Sequence, residues 1–173
     1  MKKASVTCGA VMIIGVCTVA QANVVAHAIA PAITINGLVI QPNYLTGVEM
    51  SVMPMGGASA DEIHLEADIH AAKGEAHGFP EGAWMPYLTI EYTLTKDGSP
   101  FKAMGKLMPM AAKVGPHYAN DVTMAGPGTY HLTYRISPPS ADVMVRHTDS
   151  DTGVPAWWKP FTEQWTFVYP LRN

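Results

Sequence analysis

From residue 33 onward the apolar residues of this sequence fall at every second position, in short runs that glycine and proline cut off. Side chains on a strand alternate between two faces with a period of 2, whereas a helix needs 3.6. No window of a dozen residues sustains the helical period. The run "ITINGLVIQP" carries Asn36-Gly37, the pair that suits a type I′ hairpin turn. "NYLTGVEMSV" follows as a further short strand. "IHLEADIHA" places Ile63, Leu65, Ala67 and Ile69 on one face and His64, Glu66, Asp68 and His70 on the other. "PYLTIEYTLT" turns Leu88, Ile90, Tyr92 and Leu94 inward, and "TYHLTYRIS" does so with Tyr130, Leu132, Tyr134 and Ile136. "EQWTFVY" adds Trp165, Phe167 and Tyr169. About seven such strands with turns between them predict an all-β fold, an immunoglobulin-like antiparallel β-sandwich.

The 173 residues suit one domain. A basic head, Met1-Lys2-Lys3, precedes an apolar, small-residue stretch and Ala20-Gln21-Ala22, an A-x-A cleavage pattern. Residues 1–22 are therefore expected to be a secretory signal peptide, and residues 23–173 a single β-sandwich domain with no membrane insertion of its own. Both cysteines, Cys8 and Cys17, fall in the leader. The mature domain then has neither disulfide nor thiol chemistry, and its core must stabilise it alone. Residues 23–32 read as a loose lead-in, with His27 exposed. A formal net charge of -3 with 14% charged residues gives no footprint for nucleic acid.

The stretch "HLEADIH", residues 64–70, has an imidazole or a carboxylate at every second position and no basic residue. Neighbours on one strand face lie about 6.6–7 Å apart, so His64 and Glu66 can share a small site. His64 and His70 are about 20 Å apart and cannot. Asp68 and His70 are therefore expected to serve elsewhere. "KLMPMAAKVGPHY" brings Met108 and Met110 around a proline expected to interrupt strand pairing, with His117 seven residues after Met110. Thioether with imidazole is a pairing that suits copper, although methionine is more often core filler. His147 lies in a polar loop, "MVRHTDSDTG". His131, beside Arg135, reads as structural, and His77, in a glycine-rich loop, as exposed. Met50, Met53 and Met55 read as a loop packing inward, and Trp157 and Trp158 as core or interface. No G-x-S-x-G, P-loop or H-E-x-x-H motif is present.

At "DEIHLEADIHA", "EGAWMPYLTIEYTL", "KLMPMAAKVGPHY", "GTYHLTYRISPP" and "RHTDSDTGVPAWWKPF" the chain resembles the FetP-like periplasmic iron-transport proteins, which bind copper and ferrous or manganous ions beside an iron permease. The resemblance implies a metal site of His64, Glu66, Met110, His117 and His147. It also implies a homodimer in which His147 crosses to the partner's site. The family usually has Asp directly before G-P-H-Y, where this chain has Val114. A second metal position, if kept, would fall to Glu66 alone or with water.

Function is thus expected to be a periplasmic metal-binding component of iron uptake, not an enzyme. Copper, and iron or manganese, would be its ions, and an inner-membrane iron permease its partner. The alternatives are a copper chaperone or copper-tolerance protein, and a copper-dependent iron redox enzyme.

Overall fold

The computed structural model describes residues 24–51 and 61–170. The leader expected at 1–22, and Met53 and Met55, lie outside these residues. Among the described residues there is no helix. There are nine strands: β1 Val25–Ala28, β2 Ile33–Ile35, β3 Leu38–Thr46, β4 Glu62–Ala71, β5 Thr89–Lys96, β6 Lys102–Ala112, β7 Gly115–Thr123, β8 Gly128–Ser137 and β9 Phe161–Tyr169.

All pairings are antiparallel, in the order β1-β3-β4-β7-β6-β5-β8-β9, with β2 also on β3. One strand joins the two layers. The first half of β6, to Leu107, pairs with β5, and the second half, from Met108, pairs with β7. The sheet therefore curls over itself into the expected antiparallel sandwich. Pro109 does not interrupt β6; it lies just past the switch and stays in register with Tyr118. There the β5 side of β6 has no neighbour, which is where a residue without an N–H is tolerated.

The core is the set of inward positions that the alternation marks. Ile63, Leu65, Ala67 and Ile69 of β4, Ile90 and Leu94 of β5, and Leu132, Tyr134 and Ile136 of β8 are fully buried. Buried tyrosine hydroxyls find partners, as burial requires. Tyr118 Oη donates to the Met85 carbonyl at 2.7 Å and accepts from the Leu88 amide at 3.0 Å. Tyr134 Oη, from the opposite layer, donates to the Glu66 carbonyl at 3.2 Å and so pins β4 from beneath. Asn36 (φ 52°) and Gly37 (φ 77°) form the expected tight turn between β2 and β3.

Two readings are corrected. Residues 25–28 are no loose lead-in, because they pair with Asn43–Thr46 as an edge strand. His27 there stacks on Tyr44 with ring centres 4.7 Å apart. "NYLT" continues the strand begun by "LVIQP", and Val48–Ser51 are not strand.

Candidate metal centre

On the outer face of β4, opposite the core, His64, Glu66 and Asp68 follow one another. The register sets β7 beside them, with His64 opposite Asp121 and Glu66 opposite Ala119. On β7's other side Met110 of β6 is opposite His117. Strand pairing therefore delivers Met110, His117, Glu66 and His64 to one surface from three neighbouring strands. A cavity of about 570 Å³ opens there, lined by these four side chains and by Asp68, with Met50 contributing a second thioether.

His64, Glu66 and His117 are only 4%, 6% and 6% exposed. Polar groups are rarely buried so deeply without partners or a ligand. His64 Nδ1–H donates to Asp121 Oδ1 at 2.7 Å. His117 Nδ1 lies 3.3 Å from Glu66 Oε1 and 3.4 Å from the Gly115 carbonyl. In both rings the Nδ1 proton is occupied, which fixes the tautomer and leaves the Nε2 lone pair for an ion. The ring centres are 5.8 Å apart at 83°. An ion bound to a ring nitrogen at 2.0–2.1 Å lies about 3.2 Å from that ring's centre, so two sharing rings can be up to about 6.4 Å apart. Their separation is within the reach of one shared ion. Among the described residues, no three His, Cys, Asp or Glu side chains converge closely enough to hold an ion by themselves. Two imidazoles thus need the thioether, or a donor from elsewhere.

The cavity is also charged. Burial, and then the charge of Asp68, push the Glu66 carboxyl up to about 7. Burial holds the His117 imidazole below its ordinary value. Near neutral pH the metal-free site therefore holds a carboxyl ready to lose its proton and an imidazole that has already lost it.

Asp68 belongs to the site after all. Its Oδ2 accepts from Asn43 Nδ2 at 2.8 Å, and it faces the cavity beside Glu66. Val114, where the family usually has Asp, is 96% exposed at the β6–β7 turn. Glu66 is thus not alone: a second carboxylate stands two residues further along its own strand. His70 lies outside the cavity, bridging to Trp84. His147 is apart from it too, in the loop after β8, with 71% of its side chain exposed and Nδ1 2.7 Å from Thr152 Oγ1. His131 is held by Asp97 and Thr166, as a structural residue. His77 is not exposed: its side chain is 93% buried between Glu75 and Trp157. Sequence reasoning missed Asp121 and Asp68. Reading "GPHYANDVT" as a strand would have found Asp121, which falls on the face of His117.

Known structures share this fold. A copper-bound Glu-to-Gln variant of Campylobacter jejuni P19 superposes with a TM-score of 0.78 at 41% identity, over 84% of this chain and 98% of that one. A copper-bound Glu-to-Gln variant of FetP from uropathogenic Escherichia coli strain F11 gives 0.78 at 44% identity, over 84% and 97%. A UPF0423 protein of Brucella abortus is 44% identical over 139 residues, 78% of this chain and 76% of the relative. The 34 kDa membrane antigen of Treponema pallidum is 38% identical over 128 residues, 70% of this chain and 63% of the antigen. The model of the family described as Fe2+ transport protein matches residues 25–170, nearly all of the described chain, and the protein belongs to that family.

Proposed function

We propose that this protein is a periplasmic metal-binding component of iron uptake. It holds Cu(II) and Fe(II) at His64, Glu66, Met110 and His117, completed by His147 from the second subunit of a homodimer. It passes iron to an inner-membrane permease and catalyses no turnover of its own. The observation that carries this reading is the convergence of two Nδ1-anchored imidazoles, a thioether and a carboxylate in one buried cavity. The P19 and FetP relatives solved with copper support the copper arm, and the family supports the iron arm. A FetP relative 44% identical was expressed in the periplasm of E. coli, which supports the compartment. Manganese rests only on the hard carboxylate oxygens, which suit Mn(II) as they suit Fe(II).

The donor set explains how one site serves unlike ions. Imidazole accepts Cu(II) and Fe(II) alike, the thioether favours copper, and Glu66 with Asp68 favours the harder ion. Copper outcompetes iron at such a site on the Irving–Williams order, so supply, not affinity, decides the cargo. The test is growth. Deleting the gene should impair growth under iron limitation, and the wild-type gene should restore it where His64→Ala does not. Copper sensitivity with normal iron-limited growth would instead favour a copper-tolerance protein.

Met110→Leu keeps the size and apolarity of the side chain and removes only the sulfur. The variant is expected to fold normally, bind Cu(II) about tenfold more weakly, and change the visible spectrum of the complex. An unchanged titration would take Met110 out of the site.

Proton release gives a second prediction. Folding raises the Glu66 value from 4.5 to about 7. In the metal-free protein this group's stabilising contribution is complete below 4.5 and lost as pH rises through about 7. A bound cation stabilises the charged form and reverses that balance. At pH 6 metal binding should therefore expel nearly one proton from Glu66, and affinity should fall from pH 7 toward pH 5. Calorimetry in buffers of different ionisation enthalpy counts the protons. Equal release from the wild type and Glu66→Gln would show that the Glu66 proton is not displaced.

A further inference from the structure

The loop after β8 carries His147 on a short arm, residues 143–155, that its own hydrogen bonds close. Arg146 Nη1 ties the base, donating to the Val154 carbonyl at 2.9 Å and the Pro155 carbonyl at 2.8 Å. The Val154 amide donates to the His147 carbonyl at 3.1 Å. Asp149 organises the tip. Its Oδ1 accepts the amides of Asp151 at 3.0 Å and Thr152 at 2.8 Å, and its carbonyl accepts the Gly153 amide at 3.1 Å. A Cβ at residue 153 would collide with that carbonyl, so the tip calls for glycine. Just past the arm, Trp157 stacks on His77 with ring centres 4.1 Å apart and ties it to the turn after β4.

The closed tip puts two further side chains in line with His147. Thr152 Oγ1 is 2.7 Å from His147 Nδ1 and 2.9 Å from Asp149 Oδ2. Nδ1 and Oδ2 are themselves 4.0 Å apart, too far to bond without the hydroxyl between them. An ionised carboxylate only accepts, so the hydroxyl proton goes to Asp149 and the oxygen accepts Nδ1–H of His147. The line of carboxylate, hydroxyl and imidazole fixes the tautomer and leaves the lone pair on Nε2. Asp121 imposes the same state on His64 directly. Burial alternates along the arm: Met144 and Arg146 are half-buried, while Val143, Val145 and His147 are exposed. The ring is therefore offered outward beside two apolar side chains, which suits contact with a second copy of the chain.

We propose that Thr152 and Asp149 are positioning residues for His147, holding its ring with Nε2 ready for the ion in the partner subunit's strand site. This rests on the shared site proposed above and adds the residues that prepare its cross-subunit donor. A ring fixed before binding has less freedom to lose, and a hydrogen-bonded Nδ1–H makes Nε2 a more basic ligand.

The test is a Cu(II) titration of the full-length dimer, followed by affinity and by the visible spectrum of the complex. Thr152→Val keeps the branched shape and removes the hydroxyl. It should weaken Cu(II) about tenfold, the low end for an orienting partner because water reaches this arm. It should also move the spectrum toward that of His147→Ala. Thr152→Ser returns the hydroxyl and should restore both. The arm lies off the core, so metal-free Thr152→Val should unfold at the wild-type temperature. The decisive comparison is a double-mutant cycle. If Thr152 acts through His147, adding Thr152→Val to His147→Ala costs nothing more. An equal further loss in that background would overturn the proposal, because Thr152 would then act elsewhere. So would wild-type affinity in Thr152→Val alongside weak binding in His147→Ala, a result that keeps the shared site. Wild-type affinity in His147→Ala would overturn the proposal by a different route, since His147 would not be a ligand at all.

Discussion

His64→Ala is expected to lower copper affinity by at least about 100-fold, because removing a ligand should cost no less than removing the group that orients it, which costs about 10–100-fold. Asp121→Asn supplies that second figure. It keeps the size of the side chain and loses the anionic acceptor that holds Nδ1–H at 2.7 Å. The ring then becomes less basic and freer to turn, and affinity should fall by about 10–100-fold. Neither change should unfold the protein. His64 is on the outer face of β4, while the core is built from Ile63, Leu65, Ala67 and Ile69 on the other. Copper-dependent stabilisation gives a readout apart from affinity. An ion at 100 times its Kd adds about 2.7 kcal/mol, which a 100-fold loss of affinity in His64→Ala should cut to about 0.4 kcal/mol at the same copper concentration. Full copper-induced stabilisation in His64→Ala would remove His64 from the ligands.

The ranking of these two variants depends on strand geometry that was partly visible in the residues alone. β4 alternates without a break, and "HLEADIH" could therefore be placed on one outer face before any pairing was known. β5, β8 and β9 were equally legible, since their inward positions are Leu, Ile, Tyr and Phe. The Asn36-Gly37 turn was legible for a backbone reason: both residues take positive φ.

β6 and β7 were not legible as strands. Most of β6 is exposed and only Leu107 is buried, so "KAMGKLMPMAA" shows little alternation. β7 buries polar His117 beside Tyr118 and Ala119, and a hydrophobicity pattern passes over it. The penalty was local. Met110 and His117 were found through their chemistry, but their register was not, and with it went Asp121. Strand spacing keeps four ligands of one strand from reaching a single ion. That argument is sound for His70 and fails for Asp68, since a cavity of about 570 Å³ is larger than one coordination sphere. Non-local facts of this kind come only from pairing: β4 meets β7 across more than fifty residues of sequence. His77 shows the same limit. Its neighbours Gly74 and Gly78 suggest an open loop, yet Glu75 and Trp157 close over it.

Two inactive variants are expected to repair each other. In one chain His147 lies away from the strand cavity, with 71% of its side chain exposed. Under the proposed dimer it serves the partner's cavity, so every site takes His64 from one chain and His147 from the other. His64→Ala and His147→Ala homodimers should then each bind Cu(II) weakly at both strand sites. Random exchange of equal amounts makes half of the dimers mixed. In each mixed dimer one site carries both substitutions and the other carries neither. About a quarter of the wild-type sites should return with wild-type affinity, a consequence of two-fold symmetry alone. Within-chain ligation predicts no recovery, because each chain keeps its own defect. Subunit exchange is confirmed first, by mass spectrometry of a mixture with one variant isotopically labelled. The same dimer is linked to the ion: a cation that binds only the assembled site strengthens assembly by mass action. The dimer dissociation constant should fall when copper is added to the wild type and change little when it is added to either variant. Exchanged mixtures that recover no site, together with a dimer equally tight with and without copper, would place all the ligands in one chain.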